Sequence, residues 1–184
     1  MTRSEGSVET LRALGAQPVL CDVFDAAGVR DAVLGFAPDL IMHQLTDLPD
    51  DAERRREYHE ANARIRREGT RNLLDAATAA GVRRVIAQSV AWTIPGDGGA
   101  AVAEMEHMVL DAGGVIIRYG QFYGPGTYHP TEPPPPPRIE IDAAAARTAQ
   151  LLDAPTGIVT VTDDPREPPA AIRRAASSQP VKGT

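Results

Sequence analysis

The chain has 184 residues and a formal net charge of −6, enough for one domain with a real core and too acidic for a dedicated nucleic-acid binder. Its single cysteine, Cys21, has no second cysteine to pair with, and no apolar stretch reaches the roughly 18–20 residues that a membrane helix needs. With no apolar signal core at the N-terminus, the expectation is a cytoplasmic protein with neither membrane nor nucleic-acid partners.

Residues 5–14 predict a short helix with Val8, Leu11 and Leu14 on one side, and Gln17 to Asp22 a strand. Asp25 is placed to cap a second helix whose buried side is Val29, Ala32, Val33 and Phe36. Pro38 closes it, and residues 39–43, DLIMH, read as the next buried strand. Residues 47–60 are charged and predict a loop entering a solvated helix, with Arg54, Arg55 and Arg56 on an exposed, salt-bridged face. That helix continues through Leu73, Leu74, Ala76, Ala77 and Ala80 to a C-cap glycine, Gly81. Val85, Ile86 and Ala87 then form a buried strand with Gln88 and Ser89 at its carboxyl end.

Residues 94–100 read as a glycine-rich loop, 101–110 as a helix and 115–118 as another buried strand. Residues 119–126, YGQFYGPG, form its polar-aromatic exit. The proline run in 129–137 predicts a stiff polyproline II connector, with a docking site for a partner as the lesser alternative. A helix over 142–152 and a strand over 157–161 follow, and the tail from residue 165 is expected to fray. Strands and helices alternating in this rhythm define an α/β fold with a parallel sheet. The domain division expected is a nucleotide-binding unit over 1–128, the 129–137 linker, a C-terminal remnant over 138–164 and a flexible tail over 165–184.

The stretch GTRNLLDAATAAGVRRVIAQS, residues 69–89, resembles the extended short-chain dehydrogenase/reductase family of NAD-dependent epimerases and dehydratases. In that family such a helix leads into a strand ending in the catalytic serine, which places Ser89 in that role. The resemblance implies a Rossmann-like sheet, NAD or NADP as cofactor, and a small, nucleotide-sugar-like substrate; it leaves homo-oligomerisation open. Asp22 and Val23 match the pair that touches adenine, and His43 and Gln44 match the turn beside the nicotinamide ribose. Arg3 sits where an arginine faces the 2′-phosphate of NADP. Arg118, Tyr119 and Tyr123, with Gln88, match the substrate pocket and its YGPG exit.

The departures are as informative. The family's first βα unit, with its glycine-rich phosphate turn, has no counterpart here, so a central strand is missing and buried sheet edges are expected to be exposed. The Tyr-x-x-x-Lys pair is also absent, because Gly98 and Val102 occupy those places. The stretch between Gly126 and Arg138 is much shorter than the family's substrate-domain insert.

Several residues also have plain readings. Ser89 and Gln88 suit local backbone bonding, and His43 suits a satisfied structural histidine. Trp92 serves equally as pocket wall or packing. Cys21 reads as a small buried residue, and no metal-ligand spacing is seen among the histidines. Three functional readings follow. The first is an NAD(P)-dependent epimerase/dehydratase-like oxidoreductase, its turnover in question without the Tyr/Lys pair. The second is a non-catalytic nucleotide-sensing or partner-binding protein on the same scaffold. The third is a remnant that is stable only when another chain covers its open edge.

Overall fold

In a computed structural model of the protein, residues 1–49 and 51–163 are described, apart from the side chains of residues 52, 55 and 56. The tail from residue 165 and the side chains of Arg55 and Arg56 therefore lie outside the described residues; Arg54 does pair with Glu57, at 2.9 Å.

The strands are β1 (Leu40–His43), β2 (Arg84–Val90), β3 (Val115–Tyr119), β4 (Gln121–Tyr123), β5 (Arg138–Glu140) and β6 (Gly157–Val161). Four of them form one parallel sheet in the order β1-β2-β3-β6, while β4 and β5 form a separate parallel pair. Runs such as Val85-Ile86-Ala87 and Val115-Ile116-Ile117 are buried throughout, as strands covered on both faces require. One face, with Ile41, Val85, Ala87 and Ile116, packs against α4 (Thr70–Ala79) and α5 (Gly96–Asp111). The opposite face, with Ile86, Ile117 and Val159, packs against Ile139 and α6 (Ile141–Ala149).

Beyond β1 the sheet is interrupted. The strand expected over 17–22 is reduced to one parallel bridge, Thr2 with Leu20, because the segment beside it pairs at Thr2 alone. Between that bridge and β1 lies a cavity of about 340 Å³ lined by Met1, Val33, Phe36, Ile41, Met42 and His43 among others. Phe36, expected inside, lines this cavity and is 57% exposed. The helix α1 (Val8–Ala13) buries none of its residues, so Leu14 has no core to join.

Helix signals match where they rest on local chemistry. The Asp25 carboxylate accepts from the Gly28 N–H at 3.0 Å and caps α2 (Ala26–Phe36). Gly81 takes φ +66° after α4, and the Val82 N–H closes back on the Ala77 carbonyl at 2.9 Å, the left-handed exit a glycine permits. The charged stretch before α4 is not one regular helix. It passes from a 3₁₀ segment (Ala52–Tyr58) through α3 (His59–Arg64) and a π turn (Ile65–Gly69).

Two expectations are corrected. The glycine-rich stretch expected as a loop supplies the first turn of α5, which begins at Gly96 behind Pro95. Packing permits this, since a Cβ on Gly99 would lie 2.0 Å from the Ile94 carbonyl oxygen. The exit segment after β3 is not all loop either, because Gln121–Tyr123 pairs with Arg138–Glu140. Residues 129–137 thus lie in the connection between two paired strands, and β6 is the fourth strand of the main sheet.

Candidate functional site

At the carboxyl ends of the parallel strands, Ser89, Arg118 and Thr160 stand in register across β2, β3 and β6. Alternation along β2 puts Ser89 on the same face as Ala87, the face covered by α5. Glu106 descends from the buried side of α5 onto this row. The Ser89 hydroxyl donates to its Oε1 at 2.5 Å, and Arg118 grips both oxygens, through Nε at 2.8 Å and an η nitrogen at 2.5 Å. The bond to Glu106 raises the Arg118 pKa further above its ordinary value, so the guanidinium stays charged. Ser89 is 4% exposed, whereas the Arg118 side chain is 39% exposed and opens onto a cleft of about 540 Å³. Trp92, Ile94, Val102, Glu106 and Thr160 line the same cleft.

The other substrate-side candidates lie on the opposite face. Gln88 alternates with Ser89 and follows Ile86 toward the α6 side. Tyr119 is buried there, with its hydroxyl 2.5 Å from the Thr148 hydroxyl and Gln44 facing the same oxygen. Burial pushes the Tyr119 pKa up. Tyr123 donates to the Asp163 carboxylate at 2.7 Å, and that carboxylate is the main cause of its raised pKa. Ser89 and Arg118 are therefore brought together, while Gln88, Tyr119 and Tyr123 are not part of their cluster.

The candidates for the cofactor are distributed along the interrupted edge. Arg3 is bound to Asp47 at 2.5 Å. The Asp22 carboxylate accepts from the Phe24 N–H at 3.0 Å through one oxygen, leaving the other for a ligand. Val23 is buried, and its carbonyl accepts from Asn72 at 2.9 Å. His43 is 2% exposed, lies 2.7 Å from the Thr70 hydroxyl through Nε2, and accepts the Leu45 N–H at Nδ1. Burial lowers its pKa to about 4, so it is neutral at physiological pH. His43 and Gln44 line the 340 Å³ cavity beside β1. These residues fit the adenosine half of a dinucleotide through Asp22. Among the described residues there is no glycine-rich turn to cradle its pyrophosphate.

Glu106 was missed in the sequence. Its signal was a lone acid at the position after Met105 on the apolar side of a helix, three residues before Val109. Thr148 and Thr160 carried no signal, since strand register and helix packing alone bring them to Tyr119 and Arg118.

A parallel sheet with polar groups gathered at its carboxyl ends defines an α/β protein of the nucleotide-binding kind. A profile of the NAD dependent epimerase/dehydratase family matches residues 1–107. The chain belongs to that family. It is similar to a 3-diazoavenalumate denitrifying reductase from Streptomyces, with 33% identity over 195 residues, and it spans 83% of this chain but only 64% of that relative. Its fold resembles the UDP-glucose 4-epimerase of Thermus thermophilus solved with NAD, at TM-score 0.63 and 19% identity over 84% of this chain and 72% of that one. The UDP-glucose 4-epimerase of Thermotoga maritima solved with UDP-glucose gives 0.67 and 15%, over 86% and 66%. Among the described residues no helix is long and apolar enough to cross a membrane.

Proposed function

We propose that the chain is the core of an NAD(P)-dependent oxidoreductase that acts as a reductase or epimerase on a small polar substrate. The observation that carries this reading is the in-register row of Ser89, Arg118 and Thr160 beneath the cleft, with Glu106 fixing two of them. Family membership and the reductase relative support the reaction class, and the solved epimerases support a nucleotide-sugar-like substrate. When bound, the cofactor supplies or accepts a hydride. The chain's own residues hold the substrate.

Ser89 gives its hydroxyl hydrogen to Glu106, so its lone pairs remain to accept from a substrate hydroxyl or amine. Arg118 spends two of its donors on Glu106 and keeps the rest for a substrate oxygen. On the cofactor side, Asp22 takes the adenosine end. In α5, Gly98 and Val102 cannot pass a proton, which leaves the Ser89 hydroxyl as the catalytic hydroxyl of this reading.

Calorimetric titration with NAD and NADP, oxidised and reduced, tests it. Micromolar binding of one of them is expected, followed by substrate-dependent change in nicotinamide absorbance that Ser89→Ala abolishes. Absence of binding by all four, or an activity indifferent to Ser89→Ala, would sink the proposal.

A further inference from the structure

Along the helical run that crosses the exit of β1, Asn62, Arg66 and Thr70 follow one another at four-residue intervals. The π turn over Ile65–Gly69 lies between the first and the last and keeps them on one face. Both ends of this row are tied to the segment leaving β1. Asn62 accepts from the Asp47 N–H at 3.2 Å, and Thr70 sits 2.7 Å from His43. Arg66 therefore lies between two fixed points, one helical turn before Thr70, whose hydroxyl meets His43. It is on the same side of the sheet as Ser89, because His43 pairs in register with Ala87.

Two other arginines of this run, Arg64 and Arg67, are paired, and Arg71 is exposed. Arg64 binds Glu68 at 2.7 Å, and Arg67 binds both Asp97 and Glu104, at 2.7 and 2.9 Å. The nearest carboxylate on the β1 exit, Asp47, is taken by Arg3. Arg66 is half-buried and makes no hydrogen bond or ion pair among the described residues. Burial lowers its pKa, and no acid among the described residues offsets this. A half-buried guanidinium without a counter-ion among the described residues is left with donors that water only partly serves.

We infer that Arg66 anchors an oxyanion of the substrate, a carboxylate or a phosphate, above the carboxyl ends of β1 and β2. The inference rests on the reading that the strand ends bind a substrate. Its planar donors suit either anion in a two-point grip.

The test titrates the 184-residue chain with UDP and with trans-4-hydroxycinnamate, each beside its uncharged counterpart, uridine and trans-4-hydroxycinnamamide. The wild type should prefer one acid over its counterpart by about tenfold or more. UDP preference identifies a phosphate, cinnamate preference a carboxylate. Arg66→Gln should erase that preference while the uncharged compound binds as before, and Arg66→Lys should keep part of it. Wild-type preference retained in Arg66→Gln overturns the inference, as does equal binding of acid and counterpart by the wild type. Titration of NAD into the same samples separates the two proposals. Acid preference that Arg66→Gln erases, without NAD binding, sinks the cofactor reading and upholds Arg66; NAD binding without acid preference does the reverse.

Discussion

Replacing Glu106 by leucine removes the acceptor shared by Ser89 and Arg118. Three charge-assisted bonds end on this carboxylate, whose side chain is 8% exposed. At roughly 1.5–3 kcal/mol for each such bond, discounted by about half because Arg118 reaches solvent, Glu106→Leu should destabilise the fold by about 3 kcal/mol. Part of that loss is the stranded guanidinium rather than the missing bonds. Glu106→Leu combined with Arg118→Met should therefore be more stable than Glu106→Leu alone, by at least about 1 kcal/mol. Urea unfolding of the two single variants and the double variant, with unchanged dependence on denaturant, measures this directly. If the double variant loses the sum of the single losses, the cluster is not a coupled unit and Glu106 acts by packing alone.

Two further outcomes follow from the same structure. His43 is held neutral by burial, with its pKa lowered from 6.5 to about 4. The unfolded chain takes up the proton first, so this stabilisation is complete above pH 6.5 and is lost as the pH falls toward 4, by about 3 kcal/mol over the whole window. The stability difference between wild type and His43→Gln should shrink by that amount between pH 7 and pH 4, and a difference that does not move with pH would contradict it. Gly99→Ala drives a methyl group to 2.0 Å from the Ile94 carbonyl and should cost about 1–3 kcal/mol. Gly35→Ala on the exposed side of α2, with nothing near the added carbon, should be neutral or stabilising by up to about 1 kcal/mol, so equal melting shifts for the two would refute the packing argument.

What the sequence disclosed was governed by local chemistry. The Asp25 cap, the left-handed Gly81 and the β-branched runs of β2 and β3 each act within a few residues, and each lies where its signal put it. The start of α5 was hidden because glycines argue for a loop until Ile94 is seen to need the space a side chain would fill. The N-cap of α6 was hidden for a similar reason: Glu140, not a usual capping residue, accepts from the Ala143 N–H at 2.7 Å. Glu106 could be suspected from the helix but not assigned, since its partners come from two strands 12 and 17 residues away.

The division of the expected site across the sheet follows from the same limit. Gln88 and Ser89, like Arg118 and Tyr119, are adjacent in sequence, and adjacency in a strand means opposite faces. A motif written as consecutive letters therefore mixes two environments. On the α6 side, Tyr119 is sealed against Thr148 with a raised pKa, a poor place for proton transfer. On the α5 side, Ser89 and Arg118 share a carboxylate beside an open cleft, and Arg66, without a partner among the described residues, lies on the helical run of the same side. Among the described residues, charge, hydroxyl and access coincide on the α5 face, the side on which the proposed chemistry would lie, with Tyr119 serving the core.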